Sequence, residues 1–92
     1  MIEYVDVIEL KALPEYRLWL RFSNGKSGIR DFADILAEGG EVIEPIRDPE
    51  MFARAFLTMG VPTWPSGLQL DPTNLHMELR DAGLLASPVA AE

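Results

Sequence analysis

The chain of 92 residues has no cysteine, one histidine and eight lysines and arginines. Without cysteine there are no disulfides, thiol nucleophiles or thiolate-held metals. With His76 alone, no site can use two imidazoles. Ser23, Ser27, Ser66 and Ser87 lie outside any G-x-S-x-G turn and have no candidate base except His76, which argues against acyl transfer. Fifteen Asp and Glu outweigh the cations and set the net charge at −7. The broad positive field needed for non-specific nucleic-acid binding is therefore missing. No apolar run approaches the ~18 residues of a membrane-spanning helix. The N-terminus, Met1-Ile2-Glu3-Tyr4-Val5-Asp6, has neither the basic nor the apolar region of a secretory signal. These absences predict a cytoplasmic protein without membrane or nucleic-acid partners. No phosphate-binding glycine loop is present: Gly25 and Gly28 read as parts of a hairpin, and Gly39-Gly40 runs into Glu41.

What is present suits one small folded domain. Hydrophobic residues make up 48% and charged residues 25%, too apolar for a disordered chain. A domain of this size buries only about 60–65% of its unfolded surface, so self-association would add usefully to its stability. The domain is expected over residues 1–84, with residues 85–92 as a flexible tail.

Residues 2–10 are rich in β-branched side chains and read as a strand, with imperfect alternation around Asp6. Leu13-Pro14-Glu15 is a turn. Residues 16–22 alternate cleanly, with Tyr16, Leu18, Leu20 and Phe22 on one face and Arg17, Trp19 and Arg21 on the other. Asn24-Gly25 then predicts a type I′ reversal into a strand over 27–31. Gly28 inside it marks a bulge or a close backbone approach.

Phe32, Ile35 and Leu36 have helical spacing over 32–38, closed by Gly39-Gly40. Residues 42–46 read as extended. Asp48-Pro49 and Asp71-Pro72 each pair a capping carboxylate with a proline at the first helical position, where no N–H is needed. They start a short helix to about Arg54 and a C-terminal helix over 72–82, stopped by Gly83. Residues 55–59 and 61–64 look like two short strands joined at Gly60, and 68–70 like one more extended piece. The pattern is α+β: a mostly antiparallel curved sheet of five or six strands with two or three short helices.

In order, the chain shows an N-terminal strand, a second strand ending Phe22-Ser23-Asn24-Gly25, then Asp31-Phe32. Pro45-Ile46-Arg47-Asp48-Pro49-Glu50-Met51-Phe52 follows, and then Trp64-Pro65-Ser66-Gly67 with Pro72 and Leu75 behind it. In these features, over about residues 2–80, it resembles a family of small bacterial proteins, domain of unknown function 2442. The Trp-Pro-x-Gly turn is the most specific part. Ser66 stands where the family usually has Asn, and Gln69 where it usually has Asp. The resemblance implies a small α+β fold with a curved antiparallel sheet and helices on one side; it does not imply an enzyme. Relatives often sit beside another small protein in a pair resembling a toxin–antitoxin module, or are fused to a helix-turn-helix domain, and similar proteins travel in mobile gene cassettes.

Two places have the composition of a contact site. Trp19 between Arg17 and Arg21 is what an interface core looks like, and homo-oligomerisation is the first expectation for that face. Trp64 with Ser66 offers a ring and a polar handle beside a cleft; the competing reading makes Trp64 a core plug while Pro65 and Gly67 shape the turn. Asn24, Gly25, Asp48 and Asp71 are assigned to turns and caps. Asp31 and Asp34 suit a helix start, while Glu38, Glu41 and Glu44 read as solvated. His76, without a second nitrogen ligand nearby, reads as a partly exposed surface residue. No metal, cofactor or catalytic residue is expected. The leading function is a non-enzymatic interaction module binding itself or a small cognate protein, in the antitoxin-like or accessory role that the resemblance suggests. The alternatives are a small-ligand module at the Trp64 cleft and a mobile-cassette protein of another role.

Overall fold

The computed structural model describes residues 2–87. Five strands form two antiparallel sheets, and three helices complete an α+β fold. Strands β1 (Val7–Leu13), β2 (Arg17–Phe22) and β3 (Ser27–Asp31) make a three-stranded meander. Helix α1 (Ala33–Glu38), a 3₁₀ turn at Glu44–Arg47 and helix α2 (Pro49–Phe52) follow. Strands β4 (Phe56–Thr58) and β5 (Val61–Thr63) form a separate hairpin, and helix α3 (Pro72–Asp81) comes last.

A single curved sheet is therefore not what forms. The β4–β5 hairpin meets β1 through its tip, where the Val7 N–H donates to the Gly60 carbonyl at 2.9 Å. No ladder continues from there: Pro62 has no N–H to offer, and Asp6 packs against Gly60. An added Cβ on Gly60 would lie 2.8 Å from the Asp6 Cβ.

The first strand is displaced from its expected range. Residues 2–6 have no ladder partner, and the register of β1 on β2 shifts between Val7 and Glu9. Ile8 is the extra residue of a bulge and points to solvent. The expected extended piece at 42–46 is instead a turn entering the 3₁₀ segment. Pro45 falls in its first turn, where no N–H is needed, and Ile43 and Ile46, three apart, turn inward together.

The turn chemistry also differs from the first reading. Gly25 has φ 87° but Asn24 does not have positive φ, so no type I′ turn forms there. Gly25 N–H donates to Phe22 C=O and Phe22 N–H to Lys26 C=O, both at 2.8 Å. That is a three-residue loop with glycine in the left-handed position. Trp64-Pro65-Ser66-Gly67-Leu68 repeats the pattern, with Gly67 N–H on Trp64 C=O and Trp64 N–H on Leu68 C=O. Two consecutive positive φ values occur instead at Met59-Gly60, the two-residue turn between β4 and β5, and at Glu15-Tyr16, between β1 and β2.

Leu18, Leu20 and Phe22 point inward from β2 and are fully buried. They meet Phe32, Ile46, Phe52, Trp64, Leu75 and Leu79 in one core. Asp48 and Asp71 accept the N–H groups of Glu50 and Thr73 at 3.0 and 3.1 Å, capping α2 and α3. At the end of α3, Gly83 (φ 73°) N–H donates to Arg80 C=O and Leu84 N–H to Leu79 C=O. This Schellman closure returns the chain to the free edge of β3. There Ser27 and Ala86 exchange both main-chain bonds, at 3.1 and 2.7 Å. Within the segment expected as a flexible tail, residue 86 is thus paired to the sheet; residues 88–92 lie outside the described residues. No helix is long and apolar enough to cross a membrane among the described residues.

Candidate functional site

The two tryptophans part company. Trp64 is 1% exposed. Its Nε1–H donates to the Phe52 carbonyl at 3.0 Å, and its ring packs against Phe32 and Phe52 at centroid distances of 5.9 and 6.1 Å. Phe52 also meets Tyr16 edge-on at 5.5 Å, and the Tyr16 hydroxyl donates to the Arg47 carbonyl. The expectation that Trp64 contacts a ligand or partner is corrected: the ring is a core member, packed between Phe32 and Phe52. Pro65, Ser66 and Gly67 form the exposed loop above, and Ser66 has no aromatic companion there.

Trp19 lies on the opposite face of the sheet. Strand alternation puts Arg17, Trp19 and Arg21 outward, and the register sets Lys11 on β1 and Ile29 on β3 directly beside Trp19. Lys11 Nζ sits 5.8 Å and Arg21 Cζ 5.4 Å from the ring centroid, so two cations flank the indole. Arg21 is also paired with Glu9 at 2.9 Å. Arg17 donates through Nε to the Pro14 carbonyl at 3.1 Å. Neither Arg17 nor Lys11 has a carboxylate within ion-pair distance among the described residues.

Beside the indole is a mostly apolar hollow of about 320 Å³, lined by Trp19, Ser27, Gly28, Ile29, Leu84 and Ala86. Ile29 is 40% and Leu84 55% exposed. Gly28 is needed for the floor, since a Cβ there would lie 2.8 Å from the Leu84 carbonyl oxygen. This is the close backbone approach that Gly28 signalled. Ile29, Leu84, Ala86 and Lys11 were not among the candidates read from the sequence. Alternation from Trp19 through the hairpin marks Ile29, and a hydrophobic residue just past the Gly83 stop marks Leu84.

His76 is not at the surface. It is 1% exposed and meets the Phe22 ring edge-on at 5.1 Å. Asn24 fixes its protonation. The Asn24 Oδ1 accepts the Lys26 N–H at 3.0 Å, so its Nδ2 donates to Glu3 Oε2 at 2.9 Å and to His76 Nε2 at 3.0 Å. As acceptor, Nε2 is deprotonated; the proton sits on Nδ1, which has no hydrogen-bond partner. Burial pushes the imidazole pKa below its usual value; Glu3 opposes this, and Lys26 and Arg80 add to it. Asn24 is thus more than a turn residue, tying the loop to α3.

The carboxylates after β3 are consumed locally. Asp31 accepts the Ala33 N–H at 2.8 Å. Asp34 takes a two-pronged bond from Arg30 at 2.8 and 3.1 Å, and Arg30 also reaches Glu78 at 3.0 Å. The bond from Arg30 lowers the Asp34 pKa. Glu44 pairs with Arg47 at 2.8 Å. Among the described residues no group of three His, Asp or Glu side chains is placed to hold a metal ion. The outward sheet face around Trp19 is therefore the surface where a half-buried aromatic, an apolar hollow and cations outside any ion pair among the described residues coincide.

No curated protein and no solved structure matches the chain. A family model matches residues 7–81, from β1 through the end of α3. The chain belongs to that family, the proteins of unknown function DUF2442.

Proposed function

We propose that the chain is a non-enzymatic interaction module that recognises a small cognate protein through the outward face of its three-stranded sheet. Its role is that of an antitoxin-like or accessory subunit of a two-gene module, at work in the cytoplasm. The observation that carries the reading is the half-buried Trp19, set between Lys11 and Arg21 beside the hollow floored by Ile29, Gly28 and Leu84. Aromatic and arginine side chains around an apolar centre are the composition of interface hot spots. His76 adds support, because its ring is sealed between Phe22 and Asn24 rather than presented to a substrate.

The test is co-purification from the native host with tagged wild-type and Trp19→Ala chains. The wild type brings down a stoichiometric small protein and the variant does not. A wild-type chain that arrives alone, and scatters light as a monomer at high concentration, sinks the reading. A wild-type dimer that Trp19→Ala dissolves makes the occupant a second copy.

A further inference from the structure

We infer that the Trp19 face selects an acidic, extended peptide segment with one bulky apolar side chain at its centre. The inference rests on the reading that this face is the contact surface, and it names the partner's chemistry. Lys11, Trp19 and Ile29 form one row across the three strands, in register on both sides of Trp19. Such a row spans about 10 Å, two interstrand spacings. Arg17 lies two residues from Trp19 along β2, a step of about 6.5 Å. An extended chain on this face sets one side chain into the hollow between Trp19, Ile29 and Leu84. A chain running along β2 then brings the side chain two positions away near Arg17, and one running across the strands brings it near Lys11.

Charge complementarity decides what those side chains are. The protein carries −7 overall, yet on this face Lys11 and Arg17 make no ion pair among the described residues; Asp31, opposite Arg17 in the register, accepts the Ala33 N–H instead. Arg21 beside them is already matched by Glu9. Carboxylates from a partner would complete Lys11 and Arg17 and displace little else. A basic segment fits poorly, because it brings like charges together at Lys11 and Arg17.

The test is selection of random linear peptides displayed on phage against the folded wild-type chain, Trp19→Ala and the double variant Lys11→Gln/Arg17→Gln. Circular dichroism first confirms that each variant is folded. Wild type enriches peptides with Asp or Glu two positions from a bulky apolar residue. Their synthetic versions bind less tightly as salt rises and lose about tenfold or more on the Gln/Gln variant. Enrichment of basic or neutral peptides, no enrichment, or equal binding by the Gln/Gln variant overturns the inference. The two failures separate. If Trp19→Ala selects the same peptides as wild type, the face itself is wrong. If only Trp19→Ala is blind but the selected peptides are not acidic, the face stands and the acidic preference falls.

Discussion

The two tryptophans should divide stability from recognition. Replacing Trp64 by Ala opens a cavity among Phe32, Phe52 and the surrounding core and leaves the Phe52 carbonyl with only the longer bond from the Ala55 N–H, at 3.4 Å. Buried aromatic-to-alanine changes cost ~3–5 kcal/mol. A domain of 92 residues has, at ~0.05–0.15 kcal/mol per residue, about 5–14 kcal/mol in all. Trp64→Ala thus removes a large share, and the milder Trp64→Phe, which keeps most of the volume but not the Nε1–H, should cost about 2 kcal/mol. Trp19→Ala loses two cation–ring contacts at a half-buried site, worth about 1 kcal/mol together. Urea unfolding followed by far-ultraviolet dichroism reads the difference. With a slope of ~2 kcal/mol per molar, the midpoint falls about 1 M for Trp64→Phe and about 0.5 M for Trp19→Ala. Partner capture should behave the opposite way, surviving Trp64→Phe and failing with Trp19→Ala. Equal loss of stability from Trp19→Ala and Trp64→Ala would refute the argument, because Trp19 would then be structural.

Gly60→Ala should cost about 2–4 kcal/mol, from the left-handed φ of 84° and the 2.8 Å approach to the Asp6 Cβ. In an Asp6→Gly background only the contact part should disappear, as a double-mutant cycle of urea midpoints would show. Asn24→Ala strips the donor from the buried His76 Nε2 and should cost ~1–3 kcal/mol by the same measurement, with cost near zero counting against the assigned network. Acid should weaken the fold through His76. Its folded pKa lies below the unfolded value of about 6.5, so its contribution is complete above that pH and is lost as pH falls through the folded value. His76→Gln should flatten the stability profile between pH ~7 and ~5.5; an unchanged slope would mean that the ring is not held neutral.

The parts legible in the sequence were those governed by local rules. The alternation of residues 17–22, the Asp-Pro helix starts and the glycine stops depend on neighbours a few residues away, and the elements they mark are present. What was hidden depends on residues far apart in the chain. Asn24-Gly25 carries the dipeptide of a two-residue reversal, yet Asn24 is held by Glu3, Lys26 and His76, and the loop takes three residues. His76 looked exposed because the only other face available to it in the sequence was its own helix; Phe22 and Asn24, more than fifty positions away, bury it. The hollow beside Trp19 was invisible for the same reason: Leu84 and Ala86 reach it only with the return of residues 84–86 onto β3.

That return has a consequence for how occupancy of the face would be felt. Leu84 is both the residue that closes α3, through its bond to Leu79, and a wall of the hollow. Anything gripping Leu84 from outside holds the final turn of the helix shut, so the amides of Leu84 and Ala86 should exchange with solvent more slowly when the hollow is filled. The helix end is in this sense a reporter wired to the binding surface, readable without touching Trp19 at all.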